Sequence, residues 1–238
     1  MINWTIARIT LRALAGRRRF LLLLPLPVLM VVLAGVASWF DAAPREWLPV
    51  VAVGLGFVVV LPVMALIVGS GVLGSEIDDG TAVHLLAKPL PRRDVIVSKL
   101  VVAVAVTAGT VGAAMLLTGL AAGSATLAFG LVAGAAVGAL AYCALFVMLS
   151  LVTRRPVLIG LVYVLVWEGL LGNLVPGTAV LSVQQYSIAT AATVAGTDLF
   201  DPQVSTPVSL VMAAVITLGA TLLAVDRLRS FSVAGETS

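Results

Sequence analysis

Six long apolar runs separated by short polar punctuation set the pattern of this chain. The runs cover residues 20–40, 48–73, 100–122, 127–152, 157–174 and 207–225. Each is near or above the roughly 17 residues that a helix needs to cross about 30 Å of hydrocarbon. The pattern predicts an all-α polytopic membrane fold, a single domain over 1–238 with six transmembrane helices. Pro25 and Pro27 are expected to bend the start of the first. Small residues recur every four positions at Gly130, Gly134 and Gly138, and again at Gly119 and Gly123. Such spacing lets helix backbones approach closely, within a bundle or between copies of it.

Two stretches outside the runs carry patterns of their own. Over residues 1–19, Thr5, Arg8, Arg12 and Arg19 share one helical face, while Trp4, Ala7, Leu11 and Leu14 group on another. This predicts an amphipathic helix lying in the bilayer interface, either as a simple anchor or as one that also touches a cytoplasmic partner. Arg17, Arg18 and Arg19 followed by Phe20 and Leu21 look like the start of a twin-arginine signal. The run behind them is long enough to span, and five more follow, so it reads as a retained first span. Residues 175–206 begin apolar and end polar. They are expected to fold back as short re-entrant or interfacial helices around Pro176 and Gly177, with Asp198, Asp201 and Pro202 at an exposed tip. Irregular backbone there needs cover from other helices or a wet cavity.

Composition agrees with the pattern. The chain is 61% hydrophobic and 11% charged, with a mean hydropathy of +1.17. Soluble domains average about 25% charged residues, so a water-soluble core is excluded. The placement of charge then orients the spans. Residues 1–19, 74–99, 153–156 and 226–229 hold 13 of the 14 basic residues; the alternate connections, 41–47, 123–126 and 175–206, hold only Arg45. Cytoplasmic connections carry the excess of Lys and Arg, so both termini and the 74–99 segment are expected inside a cell membrane. The strong preference for Arg over Lys suggests a bacterial source. The single cysteine, Cys143, lies in an apolar run, which excludes an intrachain disulfide and predicts a buried thiol.

Residues 74–99 form the one long charged segment between the first and last runs. Asp78 or Asp79 can cap a helix beginning near Gly80 and Thr81. Val83, Leu86 and Leu90 give it an apolar side, and Pro89 and Pro91 end it. Lys88, Arg92 and Arg93 can hold it near anionic lipid, at about 1 kcal/mol each.

Gly74, Ser75, Glu76, Gly80, Thr81, Leu85, Leu86, Pro89, Leu90, Arg93 and Lys99 resemble, in identity and spacing, the cytoplasmic loop of the membrane subunits of type-2 ABC exporters. The motif resemblance covers residues 74–99, and the six-span topology extends it to the whole chain. It implies that the segment is a coupling helix docking in a groove of a separate ABC ATPase subunit. The contacts implied are Glu76, Asp79, Gly80, Thr81, His84, Leu85, Leu86, Lys88, Pro89 and Arg93. Glu76 would pair with Arg8 or Arg12 of the N-terminal helix. A second permease subunit, identical or related, would complete the path. ATP and Mg would belong to the ATPase, with no cofactor on this chain and no nucleic acid as partner. Asp78 and Asp79 stand where many relatives carry one basic residue.

Chemistry absent from the sequence narrows the function further. No Gly-x-x-x-x-Gly-Lys-Ser/Thr loop occurs, so the chain does not cradle ATP phosphates by that route. The acids near Gly80 lack the further spaced aspartates of a metal-dependent phosphotransferase. His84 has no Cys or His companion, so no metal site is expected. The chain therefore reads as a non-catalytic subunit. Glu168 is the one acid within a run, about 17 Å along its helix and just past the bilayer midplane. Two roles fit it: lining or gating the translocation path, or bonding a neighbouring helix or the re-entrant backbone. The rival from another class is an ion-coupled secondary transporter or channel. Such proteins place several ionisable groups near the midplane, often in repeated halves. Apolar spans with few aromatics suit a hydrophobic or amphiphilic cargo such as a drug, natural product or lipid.

Overall fold

The computed structural model describes residues 24–78, 92–172 and 177–233, and among them every regular element is helical. The interfacial helix expected over 1–19 lies outside the described residues. Helix α1 spans Pro25–Trp39. Pro25 and Pro27 stand in its first turn, where a fixed φ and a missing N–H cost little. Ser38 Oγ donates to Ala121 O at 2.7 Å and ties its end to a later helix.

The second run is one unbroken rod. It opens as α2 (Pro44–Leu48), widens into a π-helix over Pro49–Val60 and continues as α3 (Leu61–Asp78). Pro62 has no N–H, and its ring presses on the turn before it; the wide i→i+5 turn accommodates that ring. Helix α4 spans Arg92–Ala121 and α5 spans Ala125–Val152. Between them Gly123 adopts φ 77°, which a side chain would resist, and Ser124 Oγ accepts the Leu127 N–H at 3.3 Å as an N-cap. Helix α6 (Pro156–Val162) runs into a second π-helix, Tyr163–Leu171. A 3-10 turn at Thr178–Leu181 then leads to α7 (Val183–Ala195) and finally α8 (Thr206–Val233).

Among the described residues, four helices are long and apolar enough to cross a membrane: Pro44–Val72, Arg93–Ala121, Ala125–Val152 and Thr206–Leu228. They coincide with the second, third, fourth and sixth expected runs. The first and fifth appear as shorter apolar helices, Pro25–Trp39 and Pro156–Leu170. Helices α3 and α4 overrun their apolar stretches and take in residues 74–78 and 92–99 of the segment expected over 74–99; residues 79–91 lie outside the described residues. A formed helix propagates cheaply through polar residues once its first turn exists.

The core is built around α5, against which α3, α4, α7 and α8 all pack. Its partner α7 lies in the stretch for which the sequence predicts short re-entrant or interfacial helices; among the described residues that stretch holds the 3-10 turn at Thr178–Leu181 and this 13-residue helix, buried over every residue from 183 to 192. The glycine row of α5 explains it. A methyl at Gly130 would come within 2.6 Å of Ala195 Cβ and 2.7 Å of Ala191 O. One at Gly134 would strike the Ser187 carbonyl, and one at Gly138 the Ser187 hydroxyl. The row is thus a groove filled by Ser187, Ala191 and Ala195 of α7, a contact within one bundle. Gly119 does the same against the Ala128 backbone. Cys143 is buried as expected, its Sγ 3.4 Å from Thr107 Oγ1.

Candidate functional site

The candidate functional side chains fall into separate groups along this bundle. At the end expected to be cytoplasmic, α3 and α4 pack on each other and bracket the segment 79–91. Asp79, Gly80, Thr81, His84, Leu85, Leu86, Lys88 and Pro89 lie outside the described residues, as do Arg8 and Arg12. Glu76 stands in the last turns of α3, with its side chain likewise outside them. Arg93 is described: it lies exposed in the first turn of α4.

Lys99, two turns into α4, is fully buried. Its Nζ donates to Val72 O of α3 at 2.9 Å. By sequence alone it counts among the charges of the 74–99 loop. A signal for its burial is nevertheless present: Val95, Ile96, Val102 and Ala103 flank it at helical spacing, and all four are buried.

At the other end the start of α2 meets the turn after α7. Pro44 and Arg45 face Gly196, Thr197, Asp198 and Leu199 across an open cleft. In the second π-helix, at the opposite end of α7 from that cleft, sits Glu168, only 2% exposed. Its Oε1 accepts the Val183 N–H at 2.9 Å and the Tyr163 hydroxyl at 3.1 Å. Its Oε2 accepts the Ser182 hydroxyl. Ser182 is itself the N-cap of α7 and takes the Gln185 N–H at 3.4 Å.

The local backbone makes this possible. At 3.6 residues per turn, positions five apart lie about 140° from each other on an α-helix. The wider i→i+5 turn brings Tyr163 and Glu168 onto one side. The carboxylate then meets the free N–H groups and positive end of α7, in place of water. The buried Tyr142 phenol faces the same carboxylate, its hydroxyl short of hydrogen-bond geometry. Tyr142 stacks on Phe146 at 5.9 Å, and Phe146 meets Tyr163 edge-on at 6.4 Å. Tyr186 Oη donates to Val180 O and fixes the turn leading into α7.

Of the two roles that the sequence allows Glu168, this is the geometry of the second: an acid bonded to the backbone of the segment that folds back. Among the described residues no three His, Cys, Asp or Glu side chains converge as metal ligands would. Residues 17–184 match the family model described as ABC-2 family transporter protein, a match that runs from before α1 into the first turn of α7. No curated protein matches the chain.

Proposed function

Since the chain belongs to the ABC-2 family of transporter proteins and is a multi-pass membrane permease, we propose that it forms half of an export path driven by a separate ABC ATPase. In this reading six helices span the plasma membrane of a bacterium, with both termini in the cytoplasm. Helices α1 and α6 are the two spans shorter than the rest. A second permease subunit, identical or related, closes the path. ATP and Mg stay on two ATPase chains, and this chain binds neither. The cargo is hydrophobic or amphiphilic.

The observation that carries the reading is the pair α3 and α4. Both continue beyond their apolar stretches and converge on the short segment whose flanks match the coupling motif. Residues 79–91, with Glu76 and Arg93 at their edges, are the docking element; Arg8 or Arg12 is the partner of Glu76. ATP moves that element only if it binds the two conformations with different affinity. Glu168 serves the path by holding the start of α7. Its carboxylate is engaged by three fixed donors of its own bundle, which suits a structural brace better than a site for a coupling ion.

Purification together with the ATPase encoded beside it tests the reading. The wild-type chain is expected to bring down an ATP-hydrolysing partner, and Glu76→Lys or Leu85→Asp to lose it or to leave hydrolysis unlinked from transport. Normal copurification and normal stimulation of hydrolysis in both variants would remove the docking element.

A further inference from the structure

We propose that Lys99 is a positioning residue, clamping α4 to α3 so that the two helices flanking segment 79–91 move as one lever. The inference rests on the coupling role just given to that segment. A lysine serving only to mark the cytoplasmic side would extend its four-carbon stem and keep the ammonium in water. Lys99 does the opposite. It is fully buried, and its ammonium reaches a main-chain carbonyl on the neighbouring helix. Burying an ammonium is expensive unless the charge is held by hydrogen bonds. The Val72 carbonyl, with its second lone pair, is one such acceptor.

The clamp stands where the lever needs it. Val72 lies in α3 shortly before its end at Asp78, and Lys99 lies in α4 shortly after its start at Arg92. A push on the intervening segment enters the bundle through both helices at once. Without the clamp, α3 and α4 can answer separately, and motion dissipates before it reaches α5 and α7. The acceptor is backbone, so no side-chain change at position 72 removes it; the lysine is the half of the contact that can be tested. Lys99→Arg would keep a charged donor, whereas Lys99→Met would keep volume and lose the donor.

The test compares wild type with Lys99→Met and Lys99→Arg, each purified with its ATPase and placed in lipid nanodiscs. Hydrogen exchange is followed with and without ATP and vanadate, beside the rate of ATP hydrolysis. In wild type, trapping is expected to change exchange at the far end of the bundle, residues 117–128 and 177–200, by about fivefold or more. Lys99→Met is expected to hydrolyse ATP within about twofold of wild type while that distant response disappears. Lys99→Arg is expected to retain most of it. A Lys99→Met complex whose distant response equals wild type overturns the clamp, and so does a parallel loss of hydrolysis and response, which would mark a docking defect. If Lys99→Met does not reach the membrane, Lys99→Gln, with a shorter neutral donor, takes its place in the comparison, and the same outcomes support or overturn the clamp. A wild-type chain that captures no ATPase overturns the underlying coupling reading, and the clamp with it.

Discussion

Glu168 shows how one residue can be conspicuous in a sequence and still conceal its partner. An acid near the midplane costs about 2.5–3.5 kcal/mol to insert, so its presence demands a compensating environment. That much is legible from the run of residues around it. Which donors compensate is not, because Tyr163 reaches it only through a π-helical turn and Val183 only through the fold. Removing the carboxylate would leave the Val183 N–H and the Ser182 hydroxyl buried without their acceptor. Each orphaned group costs about 1–3 kcal/mol. Glu168→Ala is therefore expected to lower the thermal midpoint of the detergent-solubilised protein clearly. Glu168→Gln, which keeps an acceptor for Val183, is expected to fall between it and wild type. It should also assemble normally while transporting more slowly. Coincident unfolding curves for all three would show that the acid does not hold α7.

Helices pose a different problem of legibility. The row Gly130, Gly134 and Gly138 announces that some backbone comes close, and spacing alone identifies the face of α5 involved. It does not identify the visitor, which turns out to be a helix about fifty residues further on, too short to span and too apolar for water. Ser187, Ala191 and Ala195 repeat the same four-residue interval, and that match of two small-residue rows is the clue the sequence offers. The contact yields a sharp contrast. Gly134→Leu would drive a side chain into the Ser187 carbonyl and is expected to abolish stable assembly, read as loss of a monodisperse peak in size-exclusion chromatography. Gly109→Ala, where nothing stands within 4 Å, is expected to be neutral or stabilising by about 0.5–1 kcal/mol. Equal behaviour of the two variants would contradict the groove.

At the scale of the whole molecule, charge placement predicts an orientation and apolar length predicts a count of spans. The apolar runs locate all four long helices, yet the polar ends of α3 and α4 read as loop, because composition records where the membrane stops and not where the helix stops. Lys99 is the residue most affected by that difference. Orientation has a direct check in intact cells with a membrane-impermeant maleimide, since the native Cys143 is buried and stays silent. Cysteines replacing Arg45 and Asp198, on the two sides of the open cleft, are expected to be labelled from outside. One replacing Arg155 is expected to react only after permeabilisation. Labelling of all three from one side would invert or break the topology.

The interlock of α5 and α7 has a mechanical corollary. Two surfaces fitted to within a methyl group cannot slide past each other by fractions of a turn, because protein interiors repack in discrete steps rather than deform continuously. The contact between α5 and α7 therefore offers no seam along which those two helices can part. In the proposed exporter, a door that releases cargo would open along the border between two subunits, with α5 and α7 swinging as one solid panel.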